Sequence, residues 1–102
     1  MVNIGRYRFD GPVYTKEGLQ DRSGVYAVLD DRGAAGLHVL DIGESESVSA
    51  RVLSHDREAC WVRNGVGRIC YAALYLGSST QEQRRSIERE LRQQFSPTCG
   101  VV

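Results

Sequence analysis

Cysteine is scarce in this sequence and forms no obvious pairs. Cys60, Cys70 and Cys99 are an odd set without a CxxC spacing, which argues against a disulfide scaffold and suits a reducing compartment. With His38 or His55 they match no common zinc-ligand pattern, so they read as small, buried apolar residues. Long apolar runs are also missing: none approaches the roughly 20 residues of a membrane span. The opening MVNIGRYRFD lacks the apolar centre of a signal peptide. The expectation is a soluble, cytoplasmic protein with no membrane partner. Net charge is absent too, since 13 Lys/Arg balance 13 Asp/Glu, and this excludes a strong bulk attraction for nucleic acid.

What is present fits one small globular domain over residues 1–102, with 41% hydrophobic residues and mixed charge. The charge is unevenly spread. Residues 1–50 carry five Lys/Arg against eight Asp/Glu, and residues 51–102 carry eight against five. A local basic face is therefore allowed, and so is an ordinary mixed surface.

Residues 1–22 show no sharp pattern beyond a short extended piece at Tyr7 and Phe9 and a turn at Gly11-Pro12. From Gly24 the pattern sharpens. VYAVL (25–29) and LHVLDI (37–42) predict a hairpin around DDRGAAG. A turn centred between Gly33 and Ala34 sets Tyr26 opposite Asp41, on one face of the sheet. Gly43 ends the hairpin, and Ser45 or Ser47 caps a helix whose buried stripe is Val48 and Val52. At 100° per residue, Arg51 and His55 fall about 60° and 20° from Val48, side by side at the buried edge. Arg51 also reads as an ordinary flanking arginine.

DREACWVRN (56–64) predicts a second short helix with Trp61 in the core. RICYAALYL (68–76) predicts a third strand with Ile69, Tyr71, Ala73 and Tyr75 on one face. Ser79-Thr80-Gln81-Glu82 is a capping-box signature for a helix running to about Phe95, with Ile87, Leu91 and Phe95 as its apolar stripe. Glu88 lies about 60° from the stripe centre, and so tilts inward more than Glu90 or Glu82. An i, i+4 pair with Arg84 is its plain structural role.

In this order, Gly24-Val25-Tyr26, Asp41-Ile42-Gly43, Arg51-x-x-x-His55 and Glu88 nine residues before Pro97 resemble the GIY-YIG nuclease superfamily, over about residues 22–100. The resemblance implies an α+β fold with a small three-stranded antiparallel sheet flanked by helices. It also implies hydrolysis of DNA phosphodiester bonds. Tyr26 would draw a proton from water, and Arg51 would hold the phosphate. Glu88 would bind one Mg²⁺ or Mn²⁺. His55 would orient water or contact phosphate. A phenol with pKa near 10 needs a neighbouring cation for the base role. The sequence departs from the family at two places. Asp41 stands where a second tyrosine is usual, as a candidate catalytic residue that would accept a proton or help hold the metal but also repel phosphate. Gly100 stands where many relatives have asparagine. Glu44 and Glu46, near the first helix N-terminus, suit its dipole but make that end less welcoming to phosphate. A catalytically degenerate domain that binds nucleic acid or a protein partner is the alternative reading.

Overall fold

The computed structural model describes residues 1–100. In chain order the strands are β1 (Val2–Ile4), β2 (Tyr7–Val13), β3 (Gly24–Asp31), β4 (Leu37–Ser45) and β5 (Arg68–Tyr75). The helices are α1 (Val48–Leu53), α2 (Glu58–Asn64) and α3 (Gln81–Phe95). All strand pairs are antiparallel, in the order β1-β2-β5-β3-β4. The fold is α+β, as expected, but its sheet has five strands rather than three.

β3 sits between β4 and β5 because Val25–Leu29 is apolar on both faces, so helices or loops can cover each side. Tyr26 and Val28 point into one core cluster, with Val48, Val52, Trp61 and Tyr71. Val25, Ala27 and Leu29 point into the other, with Phe9, Ile42, Cys70 and Leu91. Hence α1 and α2 cover one face, and α3 with the N-terminal hairpin covers the opposite one. Ile69, Tyr71, Ala73 and Tyr75 do share a face, that of Tyr26. Of the two additional strands, β2 contains the expected extended piece at Tyr7 and Phe9 but runs on through Gly11-Pro12, where a turn was expected, and β1 had no local pattern. Ile4 and Phe9 are buried by distant partners, chiefly the Leu91 side of α3, and the Tyr7 hydroxyl donates to Glu90 at 2.8 Å.

The hairpin register differs from the expected one by two residues. Tyr26 is opposite Gly43, and Asp41 is opposite Val28. The shift arises because β3 continues through Asp31, whose carboxylate accepts from Gly33 N–H and ties down the start of the turn. A shift of two keeps Tyr26 and Asp41 on the same face. A bulge then interrupts the pairing, since Val28 faces Asp41 while Leu29 faces Val39, leaving Leu40 as the extra residue. β4 also runs past Gly43 to Ser45, so Gly43 does not end the hairpin.

Candidate functional site

Tyr26 crosses from β3 over its neighbour on β4. A Cβ on Gly43 would come within 2.1 Å of the phenolic oxygen and 2.3 Å of Cζ. Glycine is required there because the Tyr26 ring occupies the space of a side chain. The Tyr26 hydroxyl meets His55 Nε2 at 2.6 Å. His55 does not lie on α1. That helix stops at Leu53, and Ser54 leaves helical geometry with φ −128°. The ring instead turns inward from the link to α2, where Nδ1 accepts from Arg57 N–H at 3.0 Å.

These two bonds fix the tautomer. A neutral imidazole that accepts at Nδ1 carries its proton on Nε2, so Nε2–H donates to the Tyr26 oxygen and leaves the phenol's own proton free to donate elsewhere. Burial, then the positive fields of Arg51 and Arg57, push the His55 pKa down to about 4, so the ring is neutral at pH 7. Tyr26 is pushed up to about 12, by burial first and then by Asp41. The opposing fields of Arg51 and Arg57 are outweighed. At neutral pH Tyr26 is a neutral phenol. The cations that would make it a base are close enough to act on it, but burial is stronger.

Asp41 is fully buried and saturated. It accepts from Arg57 Nε at 2.7 Å and Nη2 at 3.2 Å, from Trp61 Nε1 at 2.8 Å, and from Arg92 Nη2 at 2.6 Å. Arg92 comes from α3 and reaches the outer edge of β4, where it also donates to the Ile42 carbonyl. A carboxylate with four donors is satisfied as an ion only by such charged, bonded neighbours. Asp41 therefore acts as an anchor between α2, α3 and β4, and has no lone-pair position left for a proton or a metal.

Arg51 lies on α1 and pairs with Asp56 at 3.0 Å, both near the surface. Glu88 does not pair with Arg84. Its Oε2 accepts from Arg92 Nε at 3.3 Å, while Arg84 binds Glu44 at 2.9 Å. Glu44 is thus on β4 and held by α3, away from the N-terminus of α1. Glu88 is near enough to Tyr26 to help raise its pKa. The fold therefore brings Asp41, Arg51 and Glu88 within electrostatic range of Tyr26, and His55 into contact with it. It does so beneath the surface, since Tyr26 is 1% exposed. The open hollow between the N-terminal hairpin and α3 is lined by Arg6, Tyr7, Gln83 and Glu90 and lies elsewhere. Among the described residues no cluster of three or more His, Cys, Asp or Glu stands ready to hold a metal. A single carboxylate such as Glu88, with only one oxygen engaged by Arg92, suits an ion that keeps most of its water, as Mg²⁺ does.

Cys60 and Cys99 are joined in a disulfide, whereas Cys70 is free and buried. The expectation of three unpaired thiols is corrected. The two partners are 39 residues apart in sequence, and a separation of that kind has no signature in a single chain. The chain returns after α3 to pass α2, where Cys99 N–H donates to the Leu40 carbonyl at 2.7 Å. Burial pushes the Cys70 thiol up to about 11, which makes it inert.

Arg57 and Arg92 are site residues that the sequence did not mark; Gly43 was marked by its triplet, but not for the Tyr26 ring that crosses it. Buried arginines look like surface arginines until their carboxylate is located. Comparison of the chain with protein families, curated proteins and solved structures gives no match.

Proposed function

We propose that this domain is a GIY-YIG-like, divalent-metal-dependent endonuclease acting on DNA phosphodiester bonds. The observation that supports the reading is the Tyr26–His55 contact at 2.6 Å, with the fields of Arg51, Arg57 and Glu88 all bearing on the phenol. Clusters of mutually perturbed titratable groups from several elements are typical of sites that do chemistry. Arg51 and Arg57 supply permanent positive charge for a phosphate. Tyr26 accepts a hydrogen bond from His55 Nε2–H, so its own O–H would be the donor to a water or a phosphate oxygen once substrate binding opens the buried phenol. At a pKa of about 12 it serves as a donor, and a base role requires further positive charge brought by the bound complex. When bound at Glu88, Mg²⁺ or Mn²⁺ would supply Lewis-acid stabilisation of the phosphate charge.

The second reading, a degenerate domain that binds DNA or a protein without cutting, is favoured by Asp41. The carboxylate takes up Arg57 and Arg92 in the place of a motif tyrosine and leaves less cation free for phosphate.

Supercoiled plasmid incubated with the protein and Mg²⁺ or Mn²⁺ tests both readings. Nicking by the wild type should fall about 10²-fold or more in Glu88→Gln and in Arg51→Ala, the scale seen when one charge-stabilising group is removed. Far-UV circular dichroism checks that each variant is folded. No nicking by folded wild type refutes the enzyme. DNA binding that weakens steeply with salt then marks the nucleic-acid module, and its absence leaves the protein partner.

A further inference from the structure

The segment after α3 is positioned by one covalent bond and a few polar ones, all directed at the Asp41 cluster. Cys99 N–H donates to Leu40 O, and the Cys99 carbonyl accepts from Arg92 Nη1 at 3.4 Å. Gly100 lies directly on the Arg92 guanidinium. A Cβ there would meet Nη2 at 2.7 Å and Nη1 at 2.8 Å, and its φ of +87° suits glycine. The tail therefore covers the arginine that holds Asp41 and Glu88. At the other end of the disulfide is α2, a seven-residue helix with a single buried side chain, Trp61. Trp61 follows Cys60 directly and donates to Asp41, as Arg57 does from the start of the same helix. So short a helix has little stability of its own.

We propose that the Cys60–Cys99 disulfide is a thiol–disulfide exchange site, a redox latch that holds α2 and the tail of residues 96–100 closed over the Arg92–Asp41 cluster. Cys60 is partly exposed and Cys99 is fully buried, so attack falls on the Cys60 sulfur. A dithiol reductant forms a mixed disulfide with Cys60, breaks the S–S bond and expels the Cys99 thiolate, which takes a proton. The reductant's second thiol then displaces Cys60 as a thiol and closes the reductant's own disulfide. Two electrons and two protons pass to the protein. The freed tail lifts from Arg92, and α2 loosens at Trp61. The latch works on the cluster's geometry and does not depend on any cleavage reaction.

Trp61 is the sole tryptophan and reports on the latch directly. Protein oxidised in air should show one thiol in denaturant, that of Cys70, and three after dithiothreitol. On reduction the Trp61 emission maximum should move to the red by several nanometres while far-UV circular dichroism loses no more than the signal of the short helix α2, and reoxidation should reverse it. The Cys60→Ser/Cys99→Ser double variant should emit at the reduced position and ignore dithiothreitol. Thiol count and Trp61 emission need no DNA, metal or cleavage, which separates this result from the fate of the nuclease reading. Three thiols in the oxidised protein would overturn the latch, as would an unmoved emission maximum on reduction. Collapse of the far-UV signal on reduction would overturn it as well, because the bond would then be a general staple.

Discussion

At the scale of single residues, the most constrained position is Gly43. The Tyr26 ring lies across it, and the contact is with a rigid aromatic already fixed at its far end by His55. A methyl group cannot be absorbed by rotating Tyr26 unless the 2.6 Å bond to His55 is broken. Gly43→Ala should therefore lower stability by about 1–3 kcal/mol, the usual cost of overpacking a tight core. It should also free the phenol. Urea unfolding measures the first effect. A downward shift of the Tyr26 titration toward the ordinary phenol value, followed by ultraviolet difference spectra against Tyr26→Phe, measures the second. If the alanine variant keeps both stability and titration, the ring does not cross β4 as described.

At the scale of elements, Asp41 joins three of them, because α2 and α3 each send an arginine to the same carboxylate on β4. Asp41→Asn keeps the shape but turns an N–H₂ toward guanidinium donors and leaves two arginines without their counter-charge. Breaking a buried pair in this way costs about 3–5 kcal/mol. Against the 5–15 kcal/mol typical of small domains, that is a large share, visible as a much lower urea midpoint and a red-shifted Trp61 emission. The elements themselves were largely legible. The strands β3, β4 and β5 and the approximate places of all three helices follow from residue pattern and stop signals, and Ser47 caps α1 as one of the two candidates. Their ends were less so. The capping box of α3 is Thr80 with Gln83, one residue beyond the signature at Ser79. Both frames offer a hydroxyl and a carboxylate or amide at the right spacing, and the turn that bonds the Ser79 hydroxyl back to the Leu76 carbonyl selects between them. The α3 stripe was right at Ile87 and Leu91, which pack into the core, but it missed the arginines: Phe95 is 36% exposed while Arg84 and Arg92 are sequestered. Periodicity counts apolar residues and has no means of registering an arginine that goes inward to meet an acid from another strand.

At the scale of the whole molecule, the buried and paired ionisable groups make folding sensitive to acid in two separable stages. His55 has its pKa depressed from 6.5 to about 4 in the folded protein. The unfolded chain thus binds more protons than the folded one between those values, and stability rises with pH across that window. The contribution is complete above about pH 6.5 and lost as pH falls toward 4. Between pH 7.5 and 5 the loss amounts to about 2 kcal/mol. Carboxylates act lower down. Asp30 is fully buried, and although burial opposes its charge, bonds from Arg32 and from the Val66 and Gly67 N–H groups win and hold its pKa below the usual value. Hydrogen bonds with Tyr14 and Arg51 do the same for Asp31 and Asp56, respectively. Their stabilisation is full above the ordinary carboxylate range and disappears as pH falls through the depressed values. Urea unfolding at pH 7.5, 5, 4 and 2.5 should therefore show one drop above pH 4 and a second below it. His55→Gln, which retains a neutral hydrogen-bonding end, should remove the first drop and keep the second. If the variant declines between pH 7.5 and 5 as steeply as the wild type, then His55 is not buried as a neutral ring. Tyr26 would in that case have lost the donor that fixes its orientation.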